Sequence, residues 1–552
     1  MKNENIKLEI AGMTCDNCAA SIKKLLSENE GVSGCKISYQ NGTGECSFDP
    51  SKTSREAIVN AVNGTKKYKV TNQSKGNCCN TSGNHFDLII IGGGSAAFSA
   101  AIKAESLGLT TLMINGGLDF GGTCVNVGCV PSKNLIRAAE TAYHASHSNF
   151  AGVKPKGVAI DFAQVIKDKK KLVATMQEKK YMDVVSDFQK LTMQKGWAAF
   201  LDDKTILVDG RDKYTATKFI VATGASTNIP SIEGLDEIEY LTNAGLFDLE
   251  EKPESITIMG AGYIGLEIAM AYNRLGIKVR ILEFTDRVLR TQTADISEVL
   301  ETQMRKEDIE ILPNFRAVKF EKKGNATIIH CKCPDGSFTQ IIEKGKIVVA
   351  SGTKPNTQKI GAQNIGLQLT KSGHIEVNEK METNLPNIYA VGDVTNTPAF
   401  VYTAAFEGKI AVENAFTGTE NKADYSALPW VVFTDPQVAG TGLDEAQAEA
   451  QNIPFEVSKL QLKDVPRAIA ANDTRGFIKL IRNTETDKLI GARIVAAEGG
   501  ELIQQLSMAI KYGIIVKELA ESFYPYLTLG EGIKLAAITF GKDVSKLSCC
   551  AS

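Results

Sequence analysis

The chain has 552 residues, with 62 Lys+Arg against 64 Asp+Glu and a formal net charge of −2. That length exceeds what one hydrophobic core serves, so several domains are expected, and the near-neutral balance offers no basic stripe for nucleic acid. No run reaches the roughly 18 apolar residues that a membrane span needs.

The opening MKNENIKLEI carries no charged-then-apolar leader, so a cytoplasmic protein is expected. The chain contains 12 cysteines. In a reducing compartment they read as metal ligands or redox groups rather than as a disulfide framework. Eight of them form close pairs: Cys15 with Cys18, Cys78 with Cys79, Cys124 with Cys129, and Cys549 with Cys550.

Residues 1–72 read as a small independent domain. IKLEIAGM alternates as a strand, and CDNCAASIKKLLSENEG is an amphipathic helix ending at Gly31. CKISYQNGTGECSF is a hairpin with Asn41-Gly42 at its turn. A helix (SREAIVNAVNG) and a strand (YKVTN) complete a βαββαβ, ferredoxin-like order. Cys15 and Cys18 lie where the first strand gives way to the first helix. Two thiols at a helix N-terminus suit a soft ion of low coordination number, Cu(I) or Hg(II); a thioredoxin-like redox role is the alternative. Cys35 and Cys46, on the hairpin, read as small core residues. Residues 73–85 have the polar, Gly/Ser-rich composition of a flexible linker.

FDLIIIGGGSAAFSAAIKAESLG then changes from an apolar strand to a helix, which opens a βαβ unit. Its Gly92-x-Gly94-x-x-Ala97 turn lets a pyrophosphate approach the backbone at the helix N-terminus. Asn115 ends the next strand, where a ribose-binding acid is usual. The lysine-rich 166–181 stretch reads as a solvated helix face. A second unit, ESITIMGAGYIGLEIAMAYNRLG, carries Gly260-x-Gly262-x-x-Gly265. Glu283 follows at a strand end and suits the 2′-hydroxyl of NADH, while Arg287 and Arg290 leave NADPH open. Two such turns in strand–turn–helix context imply two dinucleotide sites. The class is therefore α/β, with two Rossmann-type domains and an α+β C-terminal domain behind the βαββαβ domain.

Between the two turns lies GGTCVNVGCVPSK. Cys124 and Cys129 are too far apart in a regular helix to bond. A first turn distorted by Gly-Gly and closed before Pro131 brings them together, and the helix dipole lowers a thiol pKa there. Cys331 and Cys333 alternate on one strand and read as structural. The chain ends KLSCCAS, which places two adjacent thiols, Cys549 and Cys550, on a short tail.

The segment GGTCVNVGCVPSK resembles the redox-active segment of the flavin-containing pyridine-nucleotide disulfide oxidoreductases, and the likeness covers about 86–545. It implies an FAD-binding domain at 86–230 and 351–425, an NAD(P)H-binding domain at 231–350, a dimerisation domain at 426–545 and a tail at 546–552. It also implies that Thr123, Gly224 and Asp393 contact FAD, with Cys129 against the flavin and Cys124 as the outer, exchanging thiol. Lys133 and Glu267 would pair near the flavin, and Tyr263 would swing aside for the nicotinamide. Disulfide-reducing members carry a His that protonates the leaving thiolate; in PYLTLGEG, Tyr526 holds that place, with Thr528 and Glu531 after it. Residues 1–72 resemble heavy-metal-associated domains. Together with the KLSCC tail, the whole chain resembles the mercuric reductases. That likeness implies a homodimer in which Cys15 and Cys18 capture thiol-bound Hg(II), and Cys549 and Cys550 take it and deliver it to the partner's Cys124 and Cys129. All six cysteines are then metal ligands, and the tail pair shares in the catalytic cycle. Hg(II) is a substrate, with Tyr263 and Tyr526 lining its approach. Cys78 and Cys79 would be at most an extra relay. Two rivals remain at this point, a thioredoxin-reductase-like disulfide reductase and a copper-buffering protein.

Overall fold

The computed structural model describes residues 4–13, 16–38, 42–65, 68–76 and 84–543. Cys15, Cys78, Cys79, Cys549 and Cys550 lie outside them, and so do the expectations placed on those residues. The chain divides into two compact units, Met1–His85 and Phe86–Ser552.

The first unit runs β1 (Glu4–Ala11), α1 (Asp16–Ser27), β2 (Val32–Ser38), β3 (Thr43–Phe48), α2 (Arg55–Asn63) and β4 (Lys69–Gly76). Its sheet order is β2-β3-β1-β4, the split βαβ arrangement. Alternation places Ile6, Leu8 and Ile10 of β1 on one buried face, where they meet Ile22 and Leu26 of α1 and Ile58 and Val62 of α2. Ser54 caps α2 by accepting the Ala57 N–H at 3.2 Å. Strand β4 runs on to Gly76, into the expected linker, because β1 is long enough to pair with it through Asn5.

Cys35 and Cys46 are buried in this core, as expected, but they are also joined as a disulfide, which the sequence reading does not anticipate. The cause is register: the two residues stand directly opposite on β2 and β3, with Cα atoms 4.1 Å apart.

The second unit opens with β5 (His85–Ile91), α3 (Ser95–Ser106) and β6 (Thr111–Asn115). Strands β5 and β6 are parallel members of a seven-stranded sheet. Buried on both faces, β5 reads as a continuous apolar run rather than an alternating one. Residues 388–390 return to this sheet as a parallel strand beside 212–221. A second, five-stranded parallel sheet takes strands 240–241, 346–349, 255–259, 278–282 and 310–312. The C-terminal part is a five-stranded antiparallel sheet with helices Gly499–Lys511 and Glu531–Ile538.

A buried ionic network ties the second nucleotide-type sheet to the C-terminal one. Arg274 forks onto Glu307 with two 2.7 Å bonds and reaches Asp435 at 2.9 Å. Arg475 meets Asp435 from the other side at 2.8 Å. The lysine-rich helix (Phe162–Gln177) departs from expectation at one point. Lys169 is only 2% exposed and pairs with Asp248 at 2.7 Å, because it falls on the apolar stripe with Phe162 and Ile166. Cys331 is fully buried, which pushes its thiol up to about 11, and Cys333 is half-buried beyond the strand end.

Candidate active site

The glycine turn after β5 sets the site. A Cβ on Gly92 (φ 133°) would lie 2.1 Å from the Ala222 carbonyl oxygen, so only glycine fits this crossing. Gly94 caps α3 without a side-chain hydrogen bond, so the first-turn amides have no side-chain acceptor, and Ala97 is fully buried behind them. That donor set suits the pyrophosphate of a dinucleotide. Asn115 does not simply replace the usual acid: its amide donates to the Leu118 carbonyl at 2.7 Å and shapes the loop after β6. Beside it a cavity of about 290 Å³ is lined by Asn115, Gly117, Lys195, Trp197 and Asp209.

The cysteine segment is built onto that turn. Gly121 N–H donates to Gly93 O at 2.7 Å, and Gly122 (φ 65°) packs so closely that a Cβ would lie 2.6 Å from Gly94 Cα. The segment is two helices, α4 (Gly122–Asn126) and α5 (Cys129–Ser146), rather than one helix with a distorted first turn. The break falls at Val127–Gly128, and Pro131 sits inside the first turn of α5, where a missing N–H costs nothing. Cys124 lies on α4 and Cys129 opens α5.

The two thiols are free and hydrogen-bonded to each other. The bond from Cys124 lowers the Cys129 thiol to about 7 against partial desolvation, with help from the Lys133 charge. Cys124, as the proton holder, is pushed well above the usual thiol range. The pair thus shares one proton, with the charge on Cys129 near neutral pH. Lys133, one turn along α5, binds Glu267 at 2.7 Å and lies 4.5 Å from the Phe433 ring centre. The other oxygen of Glu267 accepts the Phe433 N–H at 3.0 Å. Thr123 is exposed at the start of α4.

At the second turn, Gly262 caps helix Tyr263–Arg274, again without a side-chain bond. Gly260 and Gly265 meet there, and a Cβ on Gly265 would lie 2.1 Å from Gly260 O. Glu283 is buried, and both oxygens turn inward. One accepts the Ala261 N–H at 2.7 Å; the other takes the Thr285 N–H and hydroxyl. Arg287 and Arg290 flank the same strand end and pair with Asp286. Tyr263 stacks edge-on against Trp430 with centroids 5.9 Å apart, and its hydroxyl meets the Gln292 amide at 3.2 Å.

Gly224 (φ 64°) lies between the strands 212–221 and 225–227, where its carbonyl accepts the Asn356 N–H at 2.9 Å. Asp393 is half-buried beyond strand 388–390, and burial raises its carboxyl. Tyr526 is 55% exposed on the C-terminal part, next to Leu527, whose N–H donates to Glu531 at 3.2 Å. Cys18 is buried in the first unit, while Cys15, its expected partner on the metal, falls outside the described residues. The same holds for the tail: Cys549 and Cys550, expected both in catalysis and as metal ligands, are not among the described residues, so no geometry relates them to the Cys124 and Cys129 thiols. Among the described residues, no group of three or more His, Cys, Asp or Glu is placed to hold a metal.

Sequence reasoning missed several neighbours. The Tyr181 hydroxyl meets Ser95 at 3.0 Å, beside the thiol pair. Tyr402 stacks on Phe400 with ring centres 5.3 Å apart and donates its hydroxyl to the Pro429 carbonyl; desolvation, with the Cys129 charge, pushes that hydroxyl up to about 12. Phe433 and Glu407 lie far along the chain, and no local motif marks them.

Two uncapped glycine turns around a polarised cysteine pair define a flavoprotein-type dithiol oxidoreductase. The comparisons agree. The model of the pyridine nucleotide-disulphide oxidoreductases matches residues 86–408, that family's dimerisation domain matches 428–537, and the heavy-metal-associated domain matches 7–69. The chain belongs to the pyridine nucleotide-disulphide oxidoreductases, and within them to the mercuric reductases. It is 38% identical to the mercuric reductase of Staphylococcus aureus over all of both chains, and 38% identical to that of Lysinibacillus sphaericus over 99% of each. It is 39% identical to that of Shewanella putrefaciens over 99% of this chain and all of the other. Among solved structures it is similar to the HOCl-induced flavoprotein disulfide reductase RclA from Escherichia coli. That match has a TM-score of 0.72 and 26% identity, and it covers 81% of this chain and 98% of the other. A Cu(II) complex of RclA matches with a TM-score of 0.74 at 26% identity, over 83% of this chain and all of the other. No described helix is long and apolar enough to cross a membrane.

Proposed function

We propose that the protein reduces thiol-bound Hg(II) to Hg(0) with electrons from NAD(P)H, and so detoxifies mercury. The observation that carries this reading is the adjacent Cys124/Cys129 thiols, on a segment whose Gly121 N–H bonds Gly93 O of a dinucleotide-type turn, in a chain similar to mercuric reductases over its whole length. The turn at Gly92, Gly94 and Ala97, with Asp393, Thr123 and Gly224, would hold FAD; the turn at Gly260, Gly262 and Gly265 would hold NAD(P)H. When bound, FAD supplies two-electron chemistry between the nicotinamide and the thiol side.

The protein's own part is exchange and positioning. Hg(II) is soft and prefers two thiolates. Cys124, the outer thiol, takes the incoming adduct as its proton leaves on a displaced thiol, and Cys129, a thiolate near neutral pH, displaces the second ligand. The ion is then held by two sulfurs beside the electron donor. The sum balances: Hg(SR)2, NAD(P)H and a proton give Hg(0), NAD(P)+ and two thiols. Glu267 holds Lys133 in place, and the lysine's charge favours the Cys129 thiolate, partly offset by Glu267 itself. Tyr263 gates the nicotinamide side, and Tyr526 lines the metal's path. Cys15 and Cys18 capture the ion, and Cys549 and Cys550 of one subunit serve the other subunit's pair in a homodimer. The exposed Met508, Tyr512 and Phe523 of the C-terminal part support that assembly.

The likeness to RclA favours one second reading, reduction of a disulfide. Against it stands Tyr526, since a phenol of pKa about 10 is a poor proton donor to a leaving thiolate. The delivery step is tested by supplying Hg(II) on a bulky dithiol to a double variant that carries Cys549→Ala and Cys550→Ala. Turnover lost there, yet kept with Hg(II) on small thiols, supports the relay. Equal rates in variant and parent remove it.

A further inference from the structure

Glu407 is the most deeply buried carboxylate that the cysteine chemistry does not use; its exposure is 0%. It lies on helix Val401–Thr417, which packs against α3. One oxygen accepts the Gly392 N–H at 2.6 Å, and the other accepts the Tyr425 hydroxyl at 2.6 Å. Thr397 adds a further side-chain bond. Burial raises its carboxyl, against the pull of these bonds, and a carboxyl taken out of water needs its hydrogen bonds made.

What it holds is the Gly392–Thr395 turn, which carries Asp393 out of strand 388–390. The Gly392 amide has one acceptor, Glu407. The Asp393 carboxyl is close enough for its charge to act on Glu407. Tyr425 lies on the connection into the C-terminal part, so one carboxylate fastens that connection and the turn to the same helix.

We propose that Glu407 is the positioning residue of the flavin segment, which fixes the backbone that presents Asp393 and thereby sets how tightly FAD is held. The inference rests on the reading above that FAD occupies this site. Removal of a charged acceptor from a buried amide costs roughly a factor of 10 to 100 in an equilibrium.

The test uses the full-length holoenzyme. FAD release is followed by flavin fluorescence at a temperature below unfolding, with the flavin absorption bands and the thermal midpoint recorded for each variant. In Glu407→Ala, FAD leaves at least about 10-fold faster and the bands shift; Glu407→Gln, which keeps an acceptor for the Gly392 N–H, restores most of the retention. Should Glu407→Ala not fold, Tyr425→Phe carries the test, with release roughly 2- to 5-fold faster, since it removes one of the bonds that fix the carboxylate. Unchanged release and bands in the folded variants, with only the thermal midpoint lowered, overturn the proposal. A parent protein that purifies without FAD instead overturns the functional reading on which it rests.

Discussion

Substitution of Cys124 by alanine isolates what holds the charge on Cys129. The hydrogen bond from Cys124 is the largest influence on the Cys129 thiol, which it brings from 9.0 to about 7. At pH 7.5 that makes roughly three-quarters of Cys129 thiolate; without the bond the pKa returns to 9 or above, and the fraction falls to about 3%. The expected loss is therefore roughly 25-fold in thiolate at that pH. The assay is the pH dependence of iodoacetamide alkylation of Cys129, located by peptide mapping, in the reduced parent and in Cys124→Ala. The midpoint moves up by about two units in the variant. A parent midpoint near 9, or an unmoved midpoint in the variant, refutes the shared-proton account. A lowered thiol pKa stabilises the folded state above the unfolded value of 9.0, and that contribution is lost as pH falls through about 7.

Other expectations concern the scaffold. Arg274→Ala leaves the buried carboxylates Glu307 and Asp435 short of a partner, and a loss of about 3–5 kcal/mol in chemical denaturation is expected. Gly122→Ala forces a Cβ against Gly94 at a positive φ. It should release FAD and lower the thermal midpoint together, and an unchanged midpoint contradicts the packing described. Although burial alone would raise the Asp295 carboxyl, bonds from Lys459 and Lys479 hold it well below the ordinary range. Its stabilisation is complete above the unfolded pKa and lost as pH falls through the lowered one. Asp295→Asn should therefore flatten the acid limb of a stability–pH curve, and an identical limb shows the bonds contribute nothing.

The elements legible in the sequence are those fixed by local geometry. Glycine turns announce themselves because a backbone crossing tolerates no Cβ, and the βαβ context around Gly92 and Gly260 needs only the next 30 or so residues. The Lys133–Glu267 pair, 134 residues apart, comes from family likeness, since no local pattern relates the two positions. Glu407, Phe433 and Tyr402 escape for the same reason: their partners are set by tertiary packing. The tail thiols Cys549 and Cys550 are the opposite case, visible at once as a pair in the sequence yet outside the described residues, so their roles rest on likeness and on the delivery experiment. Cys35–Cys46 is a question of register. A two-residue turn at Asn41-Gly42 would set Cys35 opposite Phe48, whereas the actual pairing joins Ser38 to Thr43 and brings the cysteines opposite each other. Glu283 is where the sequence puts it, at the strand end beside the second turn. Its carboxylate, however, is engaged by the Ala261 and Thr285 amides rather than facing outward, a choice that no strand pattern encodes.

The central claim is that the Cys124/Cys129 pair works on a metal ion and not on a disulfide. The direct measurement is NAD(P)H oxidation by the purified flavin-loaded protein in excess small thiol, with Hg(II), oxidised glutathione or lipoamide as the oxidant, and with volatile Hg(0) trapped and counted. The account predicts oxidation that depends on Hg(II), one Hg(0) for each nicotinamide oxidised, and no turnover in Cys129→Ser. Brisk turnover with a disulfide, and none with Hg(II), would contradict it.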